Sequence, residues 1–326
     1  MERINISQIQ GIRIGHAQNL EAATGCTVIL CPEGAVCGVD VRGGSPGTRD
    51  TDALNPINNR KCVHGILLAG GSSFGLDAAG GVMEFLEEKG MGRDVGRTIV
   101  PNVCAAILFD LKCGDYKVRP DKEMGYAACI NAFEQQRFIS GSVGAGTGAL
   151  IGKVKGSKYA MKGGVGSAAF KSGELMAGAV VAVNCVGDVY DSTVGKIIAG
   201  VLSEDKRSLG SSEDLILMAY NNHRDLFSEN TVIGCVITNA NLSKPQAVKL
   251  AAIGQNGIAR TVRPAHSIFD GDTIFTLCTG EVDATFDSAA ILAARAVEAA
   301  IIDAVVNAES LHGFVSYKQL VTHQLR

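Results

Sequence analysis

A threonine at the head of a strand holds a hydroxyl that is inert until a base takes its proton. One way to supply the base is to make the threonine the first residue of a chain, so that its own α-amine serves. Such an amine titrates near ~7.7–8.0 and is largely neutral at physiological pH without much tuning. Residues 228–239, SENTVIGCVITN, set Thr231 directly behind a polar Ser-Glu-Asn and ahead of a β-branched run. An internal threonine has no α-amine, so this chemistry requires scission between Asn230 and Thr231. Attack by the Thr231 hydroxyl on the Asn230 carbonyl gives an ester that water opens. The plain alternative is that Thr231 merely begins a buried strand.

Two other stretches carry residue types suited to chemistry. GSSFG, Gly71–Gly75, matches the G-x-S-x-G elbow of serine hydrolases, with Ser73 as nucleophile. The apolar GILLAG precedes it, a helical pattern follows, and Asp225 and His266 come later in the chain order of a triad. A glycine-rich turn that only packs closely is the competing explanation. GSVGAGTG, Gly141–Gly148, resembles a phosphate-binding loop. It lacks the Gly-Lys-Ser/Thr ending and runs into a basic, glycine-broken segment, so an anion or oxyanion bound by backbone N–H groups and Lys153 stays open.

The elements that must position these residues are legible as patterns. Strands are expected at 27–30, 35–41, 65–68, 177–183, 231–238 and 273–278, and helices at 76–88, 125–135, 212–222, 244–258 and 288–307. Ser243 with Gln246 three residues on and Pro245 in the first turn mark a helix start, and Gly257 is the expected stop. Strands and helices intermix without a regular repeat, which reads as one α/β or α+β domain spanning 1–326.

Composition narrows the function classes. A net charge of −3 with no basic run offers no footprint for nucleic acid, and 5% aromatics with no Trp offers no stacking platform. The polar N-terminus lacks a signal-peptide stretch, and the apolar segment 289–306 is interrupted by Arg295, Glu298 and Asp303, so a soluble cytoplasmic protein is expected rather than a membrane one. The ten cysteines lie in apolar runs without a Cys-x-x-Cys pair and the six histidines are scattered, so neither disulfides nor a metal are expected.

Taken together, GCTVIL, GVDVRGGSPGTRDTDAL, GSVGAGTGALIGK, AMKGGVGSAA, AVNCVGDV, NTVIGCVITNANLSK and FDGDTIF resemble the P1 family of self-processing hydrolases. That family includes L-aminopeptidase/D-esterases, β-peptidyl aminopeptidases and endo-type nylon-oligomer hydrolases. The resemblance implies a four-layer αββα sandwich, also the fold type of ornithine acetyltransferase, with cleavage into chains 1–230 and 231–326. It implies Thr231 as nucleophile, Asn184 at the oxyanion hole, Lys153 beside the nucleophile, Asp270 and Asp272 as an acidic pair, and Tyr126 as an oxyanion stabiliser. It implies no cofactor, a small or short-peptide substrate, and a homo-oligomer of the processed heterodimer. Thr231 and the acidic pair lie closer to the nylon-oligomer branch than to the serine aminopeptidases. An acyltransferase that shares the processing but not the reaction is a further alternative.

Overall fold

Alternation along the Thr231–Ala240 strand requires a covering layer on each side. Val232, Val236 and Ala240 pack among helices, whereas Ile233, Cys235 and Ile237 point the opposite way into the face of a second sheet. The computed structural model describes residues 1–134, 137–221 and 231–324. Its first sheet runs in the order Glu2–Ile4, Gly164–Ser172, Leu175–Asn184, Thr231–Ala240, Thr273–Val282 and the second half of Thr24–Val41. Neighbours are antiparallel except Thr231–Ala240 beside Thr273–Val282, and that parallel pair needs a crossover, which helix Lys244–Thr261 provides. The second sheet holds Arg13–Asn19, the first half of Thr24–Val41, Val63–Ala69, Val103–Ile107 and Thr48–Arg49.

Helices α1 (Ala78–Glu88) and α2 (Lys122–Glu134) cover the outer face of the second sheet through Val82, Phe85 and Ala128. Helix α3 (Ser212–Asn221) is anchored by buried Asp188, which accepts the Ser212 N–H at 2.6 Å. Helices α4 (Lys244–Thr261) and α5 (Phe286–Asn307) cover the first sheet through residues such as Leu250, Ile258, Val297 and Ile301. The layer order is helix, sheet, sheet, helix, so the expected αββα sandwich is the fold. No helix among the described residues is long and apolar enough to cross a membrane.

Three expectations are corrected. Residues 27–30 and 35–41 belong to one strand, Thr24–Val41, that passes from sheet to sheet. Between the two halves, Pro32 and Gly34 lie where the register shifts between Leu30 and Ala35, with Gly34 at φ +79°. Gly257 does not end α4, because it lies where α4 crosses α5: a Cβ there would come within 2.7 Å of the Ala294 carbonyl and of Val297. Helix α2 starts at Lys122, ahead of the expected Gly125, while the expected ends Gln135 and Asn222 lie outside the described residues.

Candidate active site

Thr231 is the first residue of its strand and 5% exposed. Burying Val232, Ile233, Val236 and Ile237 is worth about 1.5–3 kcal/mol each, which far exceeds what one buried hydroxyl costs, so the core sets where Thr231 sits. Its antiparallel partner is Asn184, the last residue of Leu175–Asn184. The Asn184 carbonyl accepts Lys153 Nζ at 2.7 Å, and Lys153 is itself buried in a tight turn after Gly152. That glycine is required: φ is +74°, and a Cβ would lie 2.0 Å from the Gly200 carbonyl carbon.

The Asn184 amide is oriented by groups that permit one assignment only. The Leu150 N–H donates to Oδ1 at 2.9 Å, and Nδ2 donates to the Phe109 carbonyl at 2.8 Å. A backbone N–H cannot accept and a carbonyl cannot donate, so the amide cannot flip. Nδ2 retains a second proton beyond the one given to Phe109.

Both acids of FDGDT are buried against the head of the same strand. Asp272 Oδ1 accepts the Val232 N–H at 2.7 Å, while Oδ2 accepts His266 Nδ1 at 2.8 Å and the His266 N–H at 3.2 Å. Asp270 Oδ2 accepts the Ser267 N–H, and its Oδ1 is buried without a hydrogen-bond partner among the described residues. Burial first, and the Asp272 charge second, push the Asp270 carboxyl up to about 6. Between the acids, Gly271 lies against the nucleophile candidate: a Cβ there would be 2.8 Å from Thr231 Oγ1. Residues 42–45 close the corner, with Arg42 N–H donating to the Asp272 carbonyl at 2.9 Å and Ser45 N–H to the Asp270 carbonyl at 2.7 Å. A hydroxyl, an ammonium, an amide and two carboxylates thus converge in one buried corner. The nearby Cys185 thiol does not compete as a nucleophile, because burial pushes it well up despite the opposing pull of Lys153.

Tyr126 is the sequence-derived candidate the structure sets apart. Its hydroxyl donates to Glu88 at 2.6 Å and its ring packs edge-on to Phe85 in the cluster under α1 and α2. Neither the Thr231–Ala240 nor the Thr273–Val282 strand contributes to that cluster, so the expected oxyanion role is corrected: the phenol sits in the outer layer of the other sheet.

The two competing motifs take structural roles. Ser73 is exposed in a 3₁₀ turn, and none of the described hydrogen bonds joins it to a histidine; His266 is engaged by Asp272, and Asp225 lies outside the described residues. Gly71 (φ +81°) makes the turn, and its N–H is held by buried Asp110 at 2.7 Å. In Gly141–Gly148 the amides of Gly141, Ala145, Gly146 and Thr147 all donate within the protein, leaving them unavailable to a phosphate. Sequence reasoning missed the roles of two groups, half-buried His266 and buried Lys162. His266 was readable only as a partner of Ser73. Lys162, fully buried, donates to the Thr147 and Ala149 carbonyls at 2.8 Å each, and burial lowers it to about 8. A lysine inside the apolar, glycine-flanked AMKGG was the available signal for it. Among the described residues no three His, Cys, Asp or Glu side chains converge as a metal-holding group.

The pattern of peptidase family S58 matches residues 5–318. An uncharacterized aminopeptidase of Mycobacterium leprae is 43% identical over 297 residues, covering 86% of this chain and 80% of that one. A 6-aminohexanoate-oligomer endohydrolase of Paenarthrobacter ureafaciens is 32% identical over 282 residues, covering 84% and 74%. The solved L-aminopeptidase D-Ala-esterase/amidase of Ochrobactrum anthropi, described as a variant of the Ntn hydrolase fold, superposes with a TM-score of 0.68, at 18% identity over 98% of this chain and 93% of that one.

Proposed function

Since this chain belongs to peptidase family S58, we propose that it is a self-processing amide hydrolase whose nucleophile is Thr231, acting on small peptides, amino-acid amides or amino-acid oligomers. The observation that carries the reading is the position of Thr231: first in a core strand, with Gly271 against its hydroxyl and Asn184 opposite it. Scission after Asn230 frees the Thr231 α-amine, which takes the hydroxyl proton as Oγ attacks a substrate carbonyl carbon. The oxyanion that forms meets the second Nδ2 proton of Asn184. Lys153, a neighbouring positive charge, favours the neutral amine that a base must be. Collapse expels the leaving amine with the transferred proton and leaves an ester on Thr231, and water, deprotonated by the same amine, returns the acid and the hydroxyl.

Denaturing electrophoresis of the purified protein should show chains of 230 and 96 residues (326 − 230 = 96). Thr231→Ala should stay whole and inactive. An intact wild-type chain that still cleaves amides would sink the mechanism. The acids beside Thr231 support a substrate with a free cationic amine. Blocking the amine of an amino-acid p-nitroanilide by acetylation should lower kcat/KM about tenfold or more, roughly 1.4 kcal/mol of transition-state binding. Equal rates would mean the acids serve the catalytic machinery alone.

A further inference from the structure

A loop carboxylate with two rotatable bonds cannot hold a strand end unless something holds the carboxylate. Asp272 Oδ1 grips the Val232 N–H, the first peptide group after Thr231, at 2.7 Å. Its Oδ2 receives two donors from one residue, the backbone N–H of His266 at 3.2 Å and Nδ1 at 2.8 Å. An ionised carboxylate only accepts, so Nδ1 carries the proton. His266 is held at φ +59°, a left-handed conformation that costs a non-glycine residue roughly 1–2 kcal/mol and persists where surroundings over-determine it. Here both of its donors converge on one oxygen, and the backbone takes that conformation to aim them. Gly271 precedes Asp272 and lies against Thr231 Oγ1, so a swing of Asp272 would carry that wall with it.

We propose that His266 is a positioning residue for the chemistry of Thr231: through Nδ1–H it locks Asp272, and Asp272 locks the Val232 peptide and, through Gly271, the wall beside the hydroxyl. This rests on the reading of Thr231 as nucleophile. The role differs from the one the Ser73 motif suggested for the same residue.

The test compares His266→Ala with His266→Asn in the full-length protein. Asparagine tolerates the left-handed backbone and sets a side-chain N–H where Nδ1 stands; alanine does neither. The Ala variant should lose about tenfold or more in kcat on an amino-acid p-nitroanilide, with KM changed by less than about threefold, and should release its two chains more slowly. The Asn variant should recover most of the lost rate, and added imidazole should restore part of the activity of the Ala variant. An Ala variant within about twofold of wild type overturns the role, and so does an Asn variant no better than Ala at equal melting temperature. Should the Ala variant not fold, His266→Gln, whose longer side chain displaces the donor, replaces it in the same comparison. Thr231→Ala separates the two readings. If it still turns over, the nucleophile assignment falls; if it is dead while His266→Ala is unaffected, only the positioning role falls.

Discussion

Asp270 is buried without full hydrogen-bonding, and its protonation links the site to stability. Burial and then Asp272 raise it from 3.8 to about 6. In the folded protein it keeps a proton that the unfolded chain has lost above ~4. Its contribution to stability is therefore whole below about 4 and is lost as pH rises through about 6. Asp270→Asn, neutral at every pH, should melt a few degrees above wild type at pH 8, and the gap should close towards pH 4. Thermal scans at several pH values measure this. A gap that is constant across the range would mean Asp270 does not hold the proton. The same variant should also lose amidase rate, because a neutral side chain cannot attract a substrate ammonium.

At the scale of elements, the nucleophile strand is placed by burial on both faces and the acidic turn is fitted to it afterwards. Gly271 is the point of fit. A Cβ there would come 2.8 Å from Thr231 Oγ1, 3.2 Å from its Cγ2 and 3.3 Å from the Ser45 carbonyl, so something must move. Because the strand is held by four large buried side chains, the turn or the Thr231 rotamer is what gives. Gly271→Ala should then lower kcat about tenfold or more while shifting the melting temperature by only a few degrees. A fully active Gly271→Ala would show that the turn does not set the geometry of the hydroxyl. The Arg42–Ser45 backbone, hydrogen-bonded to the same turn, is the brace that makes the position stiff.

For the whole molecule, the proposed cleavage falls in the middle of a sheet rather than between domains. Thr231–Ala240 lies between Leu175–Asn184, antiparallel, and Thr273–Val282, parallel, and the latter pairs with Thr24–Val41. Chains 1–230 and 231–326 would therefore share the first sheet, and α4 and α5, both from 231–326, would cover strands of both chains. Separating them would expose Ile233, Ile237, Phe275 and Leu277 from the core between the sheets. The two chains should co-elute as one species on size exclusion and part only in denaturant. Elution of a free 96-residue chain from native protein would contradict this (326 − 230 = 96). Melting should likewise be a single transition, since the intersheet core is common to both chains.

The elements were legible in the sequence where the signal is local. The β-branched run after Asn230 became Thr231–Ala240, and Ser243 with Gln246 became the start of α4, where Gln246 Oε1 accepts the Ser243 N–H at 2.9 Å. Period and capping report how a segment meets its immediate surroundings, and those rules do not depend on the rest of the chain. The resemblance of the sequence blocks implied the αββα order and named Thr231, Asn184, Lys153, Asp270 and Asp272, which the fold gathers in one corner. What only the tertiary structure decided depends on partners far away in the chain. Tyr126 is claimed by Glu88, Gly257 is interior because α5 crosses α4 there, and Lys162 is buried because the Thr147 and Ala149 carbonyls receive it. His266 belongs to Asp272 rather than Ser73 because the Arg263–Thr273 segment turns the imidazole onto that carboxylate. A side chain's type states which bonds it can make, and only the packed chain determines which partner is within 3 Å of it.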